Sequence, residues 1–218
     1  SGLKVGKDFY VVFSPERVLT GRIFQDLKRY PKLVGGVTEE CTKHGVAFYS
    51  AFLEFDQRPD LPRPNGVWAM KNAEAAEFAK VAETTYRDVN IGLANEFAVY
   101  DASVDVDILE VIEASNSQPY SHIHTPEISV GGHCIPVDPI YLAHKADAIG
   151  APLKSIEIAH QINEAMPAFY VGRCVEILGN LSGKKILVVG LAYKSNVSDV
   201  REGASEKLIG LLRKGGAI

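Results

Sequence analysis

The stretch NAEAAEFAKVAETTYRDVNIGLANEFAVY, residues 72–100, contains no proline and only one glycine, Gly92. Ala, Val, Leu and Phe cover most of its circumference at helical spacing, which predicts one long, largely buried helix. Together with the further helices predicted between residues 107 and 178, this stretch indicates an all-α region in the middle of the chain.

A polar stripe interrupts this apolar helix. Its members recur at steps of three and four residues and share one face: Lys80, Thr84, Arg87, Ile91 and Asn95, with Glu83 and Asn90 beside them. A buried Lys or Arg must be paired or must meet an anion, because an unpaired charge is costly in a low-dielectric interior. The stripe therefore predicts either internal salt bridges, such as Glu83 with Arg87, or a site for an anionic ligand.

On the carboxyl side, a shorter helix is predicted at residues 107–114, followed by an irregular stretch from Asn116 to the next glycine pair. A loop that long inside a compact domain usually binds something. Another long helix is predicted at residues 152–178, where Pro167 must kink or split it. Cys174 lies on the apolar side of this helix and is assigned to the core.

The sequence GGHCIPVD, residues 131–138, places Cys134 between a glycine pair that frees the backbone and a proline that fixes it. Asp138 and Pro139 are predicted to be the N-cap and the first position of a helix at residues 140–149. This arrangement favours a thiol presented at a helix start. The alternative is a glycine-rich turn that carries a small buried thiol.

On the amino side, residues 1–66 alternate predicted strands and helices, which indicates α/β structure. The apolar run at residues 9–13 is typical of a buried strand, and residues 32–34 predict a second one. Thr38 is predicted to cap a helix that continues to about Phe52.

The two ends carry further α/β pattern. A buried strand is predicted at residues 185–190 and a helix at about residues 202–214. One strand and one helix cannot bury this much apolar surface alone, so we expect both ends to be cuts through larger domains. With a linker at residues 60–66, the predicted domains are 1–66, 67–180 and 181–218.

Composition excludes several classes of protein. The 218 residues carry a net charge of −4 and a pI near 5.9, so no broad basic face for nucleic acid is expected. No apolar run approaches the roughly 18 residues of a membrane span. The three cysteines include no Cys-x-x-Cys pair, which argues against a disulfide scaffold or a cysteine zinc site. Cys41 and His44 are assigned structural roles, and a reducing, cytoplasmic setting is expected.

Four ordered motifs together resemble the nucleotide-sugar 6-dehydrogenases, the UDP-glucose/GDP-mannose dehydrogenase family. They are Ser14-Pro15-Glu16-Arg17; Ala76-Glu77 with Lys80, Arg87, Asn90, Asn95 and Glu96; Gly131 to Asp138; and Gly190-Leu-Ala-Tyr193-Lys194 with Asp199, Arg201 and Glu202. Val137 in the third motif resembles the N-acetyl-amino-sugar branch, typified by UDP-N-acetylmannosamine dehydrogenase, more than the UDP-glucose branch.

The resemblance implies a fold and a reaction. The fold is the tail of a Rossmann-like NAD domain, a central helical dimerisation domain with long helices, and the start of a Rossmann-like UDP-binding domain. The reaction oxidises a UDP-N-acetylhexosamine to the uronic acid with NAD as cofactor, in a homodimer. UDP-glucose and UDP-N-acetylglucosamine are alternative substrates.

The resemblance also implies residue roles. Cys134 would form a thiohemiacetal and then a thioester with the sugar. Lys80 would stabilise the oxyanion, Asp138 would hold the proton network near the sulfur, and Glu16 would activate the hydrolytic water. The UDP-sugar would contact Arg17, Arg87, Asn90, Gly131, Gly132, Lys194 and Arg201.

Several positions depart from the family pattern. Thr84 replaces an Asn one helical turn after the lysine, which changes a second catalytic oxyanion donor. Tyr120 stands where Arg is common, and Glu127 follows Pro126 where Gly is usual. The Gly-x-Gly-x-x-Gly cofactor fingerprint is absent, so cofactor-binding residues are unassigned. Alone, this chain is expected to be inactive and not to bind NAD.

Two other classes of function compete with this hypothesis. One is a metal-dependent hydrolase built on His122, His124 and His133 with Asp138 and His144, although the intervals match no standard ligand pattern. The other is a non-catalytic helical dimerisation module, in which Cys134 would be dispensable.

Overall fold

A computed structural model describes residues 2–19, 21–104 and 106–218. The chain divides into two compact units, residues 1–83 and 84–218, with the boundary inside one long helix. These units group residues that contact one another and do not test where domains begin and end. The three domains predicted from the sequence therefore remain a prediction.

The first unit contains a small mixed sheet. Its strands are β1 (Val12–Phe13), β2 (Lys32–Gly36) and β3 (Val67–Ala69), in the order β1-β2-β3. β2 pairs with β1 antiparallel and with β3 parallel. Two helices complete the α/β pattern, α1 (Ile23–Arg29) and α2 (Glu39–Phe52), and α2 packs on the sheet as the crossover between β2 and β3.

The junction between β2 and α2 confirms the predicted strand and helix. Val34 is fully buried in the sheet, and the Thr38 side chain accepts a hydrogen bond from the Cys41 N–H at the start of α2. The thiol of Cys41 is buried and lies 3.1 Å from Thr38 Oγ1. His44 stacks on Tyr10, with ring centroids 3.6 Å apart. These contacts support the structural roles assigned to Cys41 and His44.

The predicted buried strand at residues 9–13 is wrong in extent and burial. Only Val12 and Phe13 pair with β2, and the side chains of Phe9, Val11 and Phe13 are exposed. The physical reason is that β1 lies at a sheet edge, where no other element of the described residues covers its outer side.

The long helix is confirmed as one element, α3 (Ala73–Asp101), but it is not largely buried. Its buried positions are mostly small or polar and include Ala76, Gly92 and Ala98. Five of its exposed large side chains recur at helical intervals along one face: Phe78, Tyr86, Leu93, Phe97 and Tyr100. We call these five residues the α3 apolar stripe.

Four more helices form the rest of the second unit: α4 (Ile108–Asn116), α5 (Asp138–Ala148), α6 (Lys154–Leu178) and α7 (Ala204–Lys214). α6 packs on both α5 and α7 and remains one helix through the buried Pro167, so the proline does not split it. α3 approaches α6 closely at Gly92, which has no side chain. A Cβ added there would lie only 2.9 Å from the Ala159 Cβ. Cys174 is only partly buried, so its assignment to the core is wrong.

The strand predicted at residues 185–190 does not form. Ile186 N–H donates to Ile218 O and Ile218 N–H donates to Lys184 O, at 3.2 and 2.8 Å. Leu187 and Val189 are 86% and 88% exposed. A buried strand needs a neighbouring strand on each side. Within the described residues, the two hydrogen bonds with Ile218 are the pairing seen here, so the segment stays irregular and exposed.

Three buried polar side chains join α3 to α6. Asn163 Nδ2 donates to Asp88 Oδ1 at 2.9 Å and to Asp88 O at 3.1 Å, and Asn95 Nδ2 donates to Asn163 Oδ1 at 2.9 Å. Burial raises the pKa of Asp88, while the Asn163 bond and nearby His160 oppose the shift. Asp88 Oδ2 is buried with no hydrogen-bond partner among the described residues.

This raised pKa predicts a pH-dependent stability. A carboxyl group whose pKa is higher in the folded state contributes stability below its unfolded pKa, 3.8, and that contribution is lost as the pH rises through the folded pKa. Asp88→Asn removes the titration but keeps the Oδ1 acceptor. Denaturant unfolding at a series of pH values should show the native chain losing stability relative to Asp88→Asn as the pH rises from about 4. Exposed Asp147→Asn is the control, and equal pH profiles for all three proteins would contradict the prediction.

Candidate functional site

The glycine pair at residues 131–132 is packed against Tyr193. A Cβ on Gly131 would lie 2.6 Å from the Tyr193 Cβ, and one on Gly132 would lie 3.1 Å from Cε2 of that ring. Gly132 also has φ +88°, which L side chains rarely adopt. Glycine is therefore required at both positions because Tyr193 of the same chain lies so close to their backbone. The contact of these glycines with a UDP-sugar remains a prediction.

Cys134 lies in a turn that leads directly into α5. Its carbonyl oxygen accepts the N–H groups of Val137 and Asp138 at 3.1 and 2.8 Å, and its side chain is partly exposed. The helix begins at Asp138, with Val137 rather than Asp138 as the N-cap. Asp138 therefore does not cap the helix with its side chain, but its carboxylate lies in the first turn, where the helix dipole favours negative charge.

Asp199 and Arg201 form a bidentate ion pair beside this turn. Arg201 Nε and Nη2 donate to the two Asp199 oxygens at 3.0 and 2.6 Å, and this contact lowers the pKa of Asp199 to about 2. The Asp199 hydrogen bond raises the pKa of Arg201, with a smaller contribution from the nearby Cys134. His133 Nδ1 lies 4.0 Å from Asp199 Oδ2. The cysteine turn and the loop after residue 190 thus meet at one electrostatic cluster.

Asparagine side chains hold the irregular stretch that precedes the glycine pair. Asn90 Oδ1 accepts a hydrogen bond from the His124 N–H at 2.8 Å, and Asn90 Nδ2 donates one to His122 O at 2.7 Å. One side-chain amide thus binds two backbone groups of the loop. Asn116 makes the same paired contact with both backbone groups of Ile123. The observed role of the Asn90 amide is to bind this loop. Its contact with substrate remains a prediction.

Glu127 is held by its backbone rather than by its carboxylate. Its N–H donates to Asn95 Oδ1 at 2.7 Å. Burial raises the pKa of the Glu127 carboxyl group, and burial together with Glu127 raises the pKa of Tyr170. The pKa of His124 is lowered, first by burial and then by Arg87. Within the loop, the side chains of His124 and Glu127 are therefore partly desolvated.

The first unit contains three of the predicted site residues, Glu16, Arg17 and Lys80. Glu16 Oε1 accepts the Arg17 N–H at 2.9 Å, and Glu16 Oε2 lies 3.8 Å from the largely buried Lys32 Nζ. Arg17 Nε lies 2.8 Å from Glu83 Oε2, so Glu83 has Arg17 as an ion-pair partner. Lys80 is partly buried on α3.

The second unit contains the remaining predicted site residues. The structure brings Gly131, Gly132, Cys134 and Arg201 into one region, with Asp138 at the adjoining helix start. Thr84 is buried, whereas Arg87, Lys194 and Arg201 are exposed. Whether Lys80 and Glu16 meet this region remains a prediction.

Sequence reasoning missed several residues of the site. Asp88, Asn163 and Lys32 have no local signal, because each acts on residues distant in the chain. Tyr193 and Asp199 belong to a motif that was recognised, but no role was assigned to them. The Asp-x-Arg spacing of Asp199 and Arg201 could have indicated a bidentate pair.

A glycine pair, Gly35-Gly36, lies at the end of β2 in the first unit. The strand-glycine-glycine-helix junction after β2 superficially resembles a phosphate-binding turn. A Cβ on Gly35 would overlap the Asn72 carbonyl oxygen, and one on Gly36 would lie 2.6 Å from the Cys41 Cβ. Both glycines are therefore packed against other residues of the chain, so this junction is not a phosphate-binding turn, and the cofactor-binding residues stay unassigned.

The metal-hydrolase alternative gains no support. Among the described residues, no three or more His, Cys, Asp or Glu side chains are grouped closely enough to hold a metal ion. In that same part of the chain, no helix has both the length and the apolar character needed to cross a membrane.

Comparisons with known proteins agree with the motifs. Residues 74–165, which include Cys134, match the profile of the UDP-glucose/GDP-mannose dehydrogenase family, central domain. UDP-N-acetyl-D-mannosamine dehydrogenase from Pyrococcus horikoshii is 40% identical over 218 residues, covering 98% of this chain and 49% of that protein. The chain thus spans about half the length of the curated relatives it matches.

Solved structures show the same similarity. The structure of UDP-D-ManNAc dehydrogenase from Pyrococcus horikoshii matches with a TM-score of 0.85 and 37% identity, covering 98% of this chain and 49% of that one. NDP-N-acetyl-D-galactosaminuronic acid dehydrogenase from Methanosarcina mazei matches with a TM-score of 0.85 and 30% identity, covering 100% of this chain and 47% of that one. The chain therefore belongs to the UDP-glucose/GDP-mannose dehydrogenase family and contains its central domain.

Proposed function

We propose that this chain is part of an NAD-dependent nucleotide-sugar 6-dehydrogenase that oxidises a UDP-N-acetylhexosamine to the uronic acid. The observation that carries the proposal is Cys134, a partly exposed thiol in the turn that starts α5, inside the residues that match the family. The relatives named for N-acetylated sugars support the substrate class.

In the proposed reaction, the C6 alcohol of the sugar is first oxidised to an aldehyde. The Cys134 sulfur adds to that aldehyde to give a thiohemiacetal, whose oxidation gives a thioester. Water, activated by Glu16, then releases the acid and the free thiol. Each oxidation removes two electrons, which a nicotinamide cofactor accepts when bound. The part proposed here for the residues of this chain is to bind and orient the sugar and the water.

Lys80, Thr84 and Asp138 complete the proposed catalytic set. A cationic Lys80 stabilises the oxyanion that develops at C6 in both the addition and the hydrolysis. The hydroxyl of Thr84 replaces the amide donor usual in the family, and Asp138 orients water near the sulfur. Arg201, Lys194, Arg17 and Arg87 are proposed to neutralise the diphosphate.

The α3 apolar stripe supports a proposed homodimer. Five large apolar side chains recur along one face of a helix, and their exposure to water is unfavourable by roughly 25 cal/mol per Å² of apolar surface. A second copy of the same face would cover them through an isologous contact.

The covalent role of Cys134 can be tested in the full-length enzyme. Cys134→Ser should lower formation of the acid on the order of 10³-fold or more while sparing nucleotide-sugar binding, because an unactivated hydroxyl is a much weaker nucleophile of similar size. Cys174→Ser is the matched control and should keep normal turnover. Full turnover by Cys134→Ser would end the covalent mechanism and leave the dimerisation-module hypothesis in place.

Glu16→Gln should act at a later step. A glutamine cannot take a proton from water, so the thioester on Cys134 should accumulate after NAD and substrate are added. Intact-protein mass spectrometry should then show a mass increase that Cys134→Ser abolishes. Normal turnover without an adduct would show that Glu16 is not the hydrolytic base.

The dimer should depend on the α3 apolar stripe. Leu93→Glu places a charge at the middle of the stripe and should weaken self-association by at least about 30-fold, measured by sedimentation. Phe48→Glu replaces an exposed aromatic residue on α2 and should leave association unchanged. Equal association of both variants and the native chain would place the contact elsewhere.

A further inference from the structure

The segment that carries Cys134 depends on one side-chain acceptor on α3. Glu127 N–H donates to Asn95 Oδ1 at 2.7 Å, four residues before the glycine pair. Ser129 and Val130, which follow, are buried. The backbone path from Glu127 to the cysteine turn is therefore fixed at its start by the orientation of the Asn95 amide.

Asn95 is in turn oriented by two other side chains. Its Nδ2 donates to Asn163 Oδ1, and Asn163 Nδ2 donates to Asp88 Oδ1, each at 2.9 Å. Asp88, Asn95 and Asn163 are at most 2% exposed, so water does not substitute for these partners at the side-chain surface.

The direction of this chain is set at both of its ends, because the Glu127 N–H can only donate to Asn95 and Asp88 accepts from Asn163. Asp88 Oδ1 is an acceptor whether the carboxyl group is ionised or protonated on Oδ2, so the Asn163 nitrogen must face it. The Asn163 oxygen must then face Asn95, and the Asn95 oxygen must face the Glu127 N–H. Reversing either amide would set like groups against each other and leave a buried donor unsatisfied, which is unfavourable.

We propose that Asn163 is a positioning residue, which places the Cys134 segment by fixing the donor-acceptor direction of the chain Asp88, Asn163, Asn95 and Glu127 N–H. Its importance for turnover rests on the proposed function. The placement itself is a property of this chain and can be measured without sugar or cofactor.

Exchanging the two end residues tests the direction directly. Asn163→Asp sets two carboxyl groups against each other. The double variant Asn163→Asp with Asp88→Asn restores a donor, because the new amide at position 88 donates to one carboxylate oxygen at position 163. The other oxygen at position 163 still accepts from Asn95. Asp88→Asn alone keeps its acceptor and is the matched control. Asn95→Ala removes the acceptor for Glu127 and serves where Asn163→Asp alone does not fold.

Two readouts follow the segment: amide hydrogen exchange at Glu127 and the rate of alkylation of Cys134 relative to Cys174 in the same molecule. Asn163→Asp or Asn95→Ala should speed both by at least about fivefold. Asp88→Asn and the double variant should stay within about twofold of the native chain.

Three results would overturn the proposal. These are native exchange at Glu127 in both disruptive variants, faster exchange at Glu127 with unchanged Cys134 alkylation, or a loss of protection spread evenly over α3 and α6 that the double variant does not recover. If instead these measurements succeed and full-length Cys134→Ser retains turnover, the proposed covalent role of Cys134 fails while the positioning role of Asn163 stands.

Discussion

The placement of the cysteine turn depends on how the backbone before it is hydrogen-bonded. Between the end of α4 and the start of α5 the chain forms no helix or strand, so its buried N–H and C=O groups need side-chain partners. Asn90 and Asn95 on α3 supply two of them, at His124 and Glu127. A helix that used only apolar residues on this face could pack against the loop but could not fix its register.

The turn is held again on its other side. Tyr193 occupies the space that a side chain at Gly131 would need, and the ion pair of Asp199 with Arg201 lies beside His133 and Cys134. The thiol is thus placed between an upstream anchor on α3 and a downstream contact with the loop after residue 190. This placement would suit the proposed covalent role of Cys134, because small displacements of a nucleophile are costly in rate.

Much of this architecture could be predicted from local pattern. The absence of proline in residues 72–100, the Thr38 cap and the Gly-rich turn before Pro139 each act over a few residues, and the corresponding elements formed. The strands predicted at residues 9–13 and 185–190 depend on neighbours that pattern alone does not supply, and they formed in part or not at all.

The burial of side chains and their hydrogen-bond partners are predicted less well from the sequence, because both also depend on residues distant in the chain. The apolar residues of α3 were assigned to the core, although Leu93, Phe97 and Tyr100 face outward. Asn163 gave no signal within α6, because its partners Asp88 and Asn95 lie 75 and 68 positions away. The sequence predicts the polar stripe on α3, but it does not predict that one of its members, Asn95, binds loop backbone and another helix.

The central claim is that Cys134 lies at the sugar end of a nucleotide-sugar site. Its most direct test is alkylation of the full-length protein by iodoacetamide, with each cysteine quantified by peptide mass spectrometry, in the presence and absence of a UDP-N-acetylhexosamine. The account predicts that the nucleotide sugar slows alkylation of Cys134 by about tenfold or more at saturation and leaves Cys174 unchanged. Equal alkylation of Cys134 with and without a nucleotide sugar that is shown to bind would contradict it.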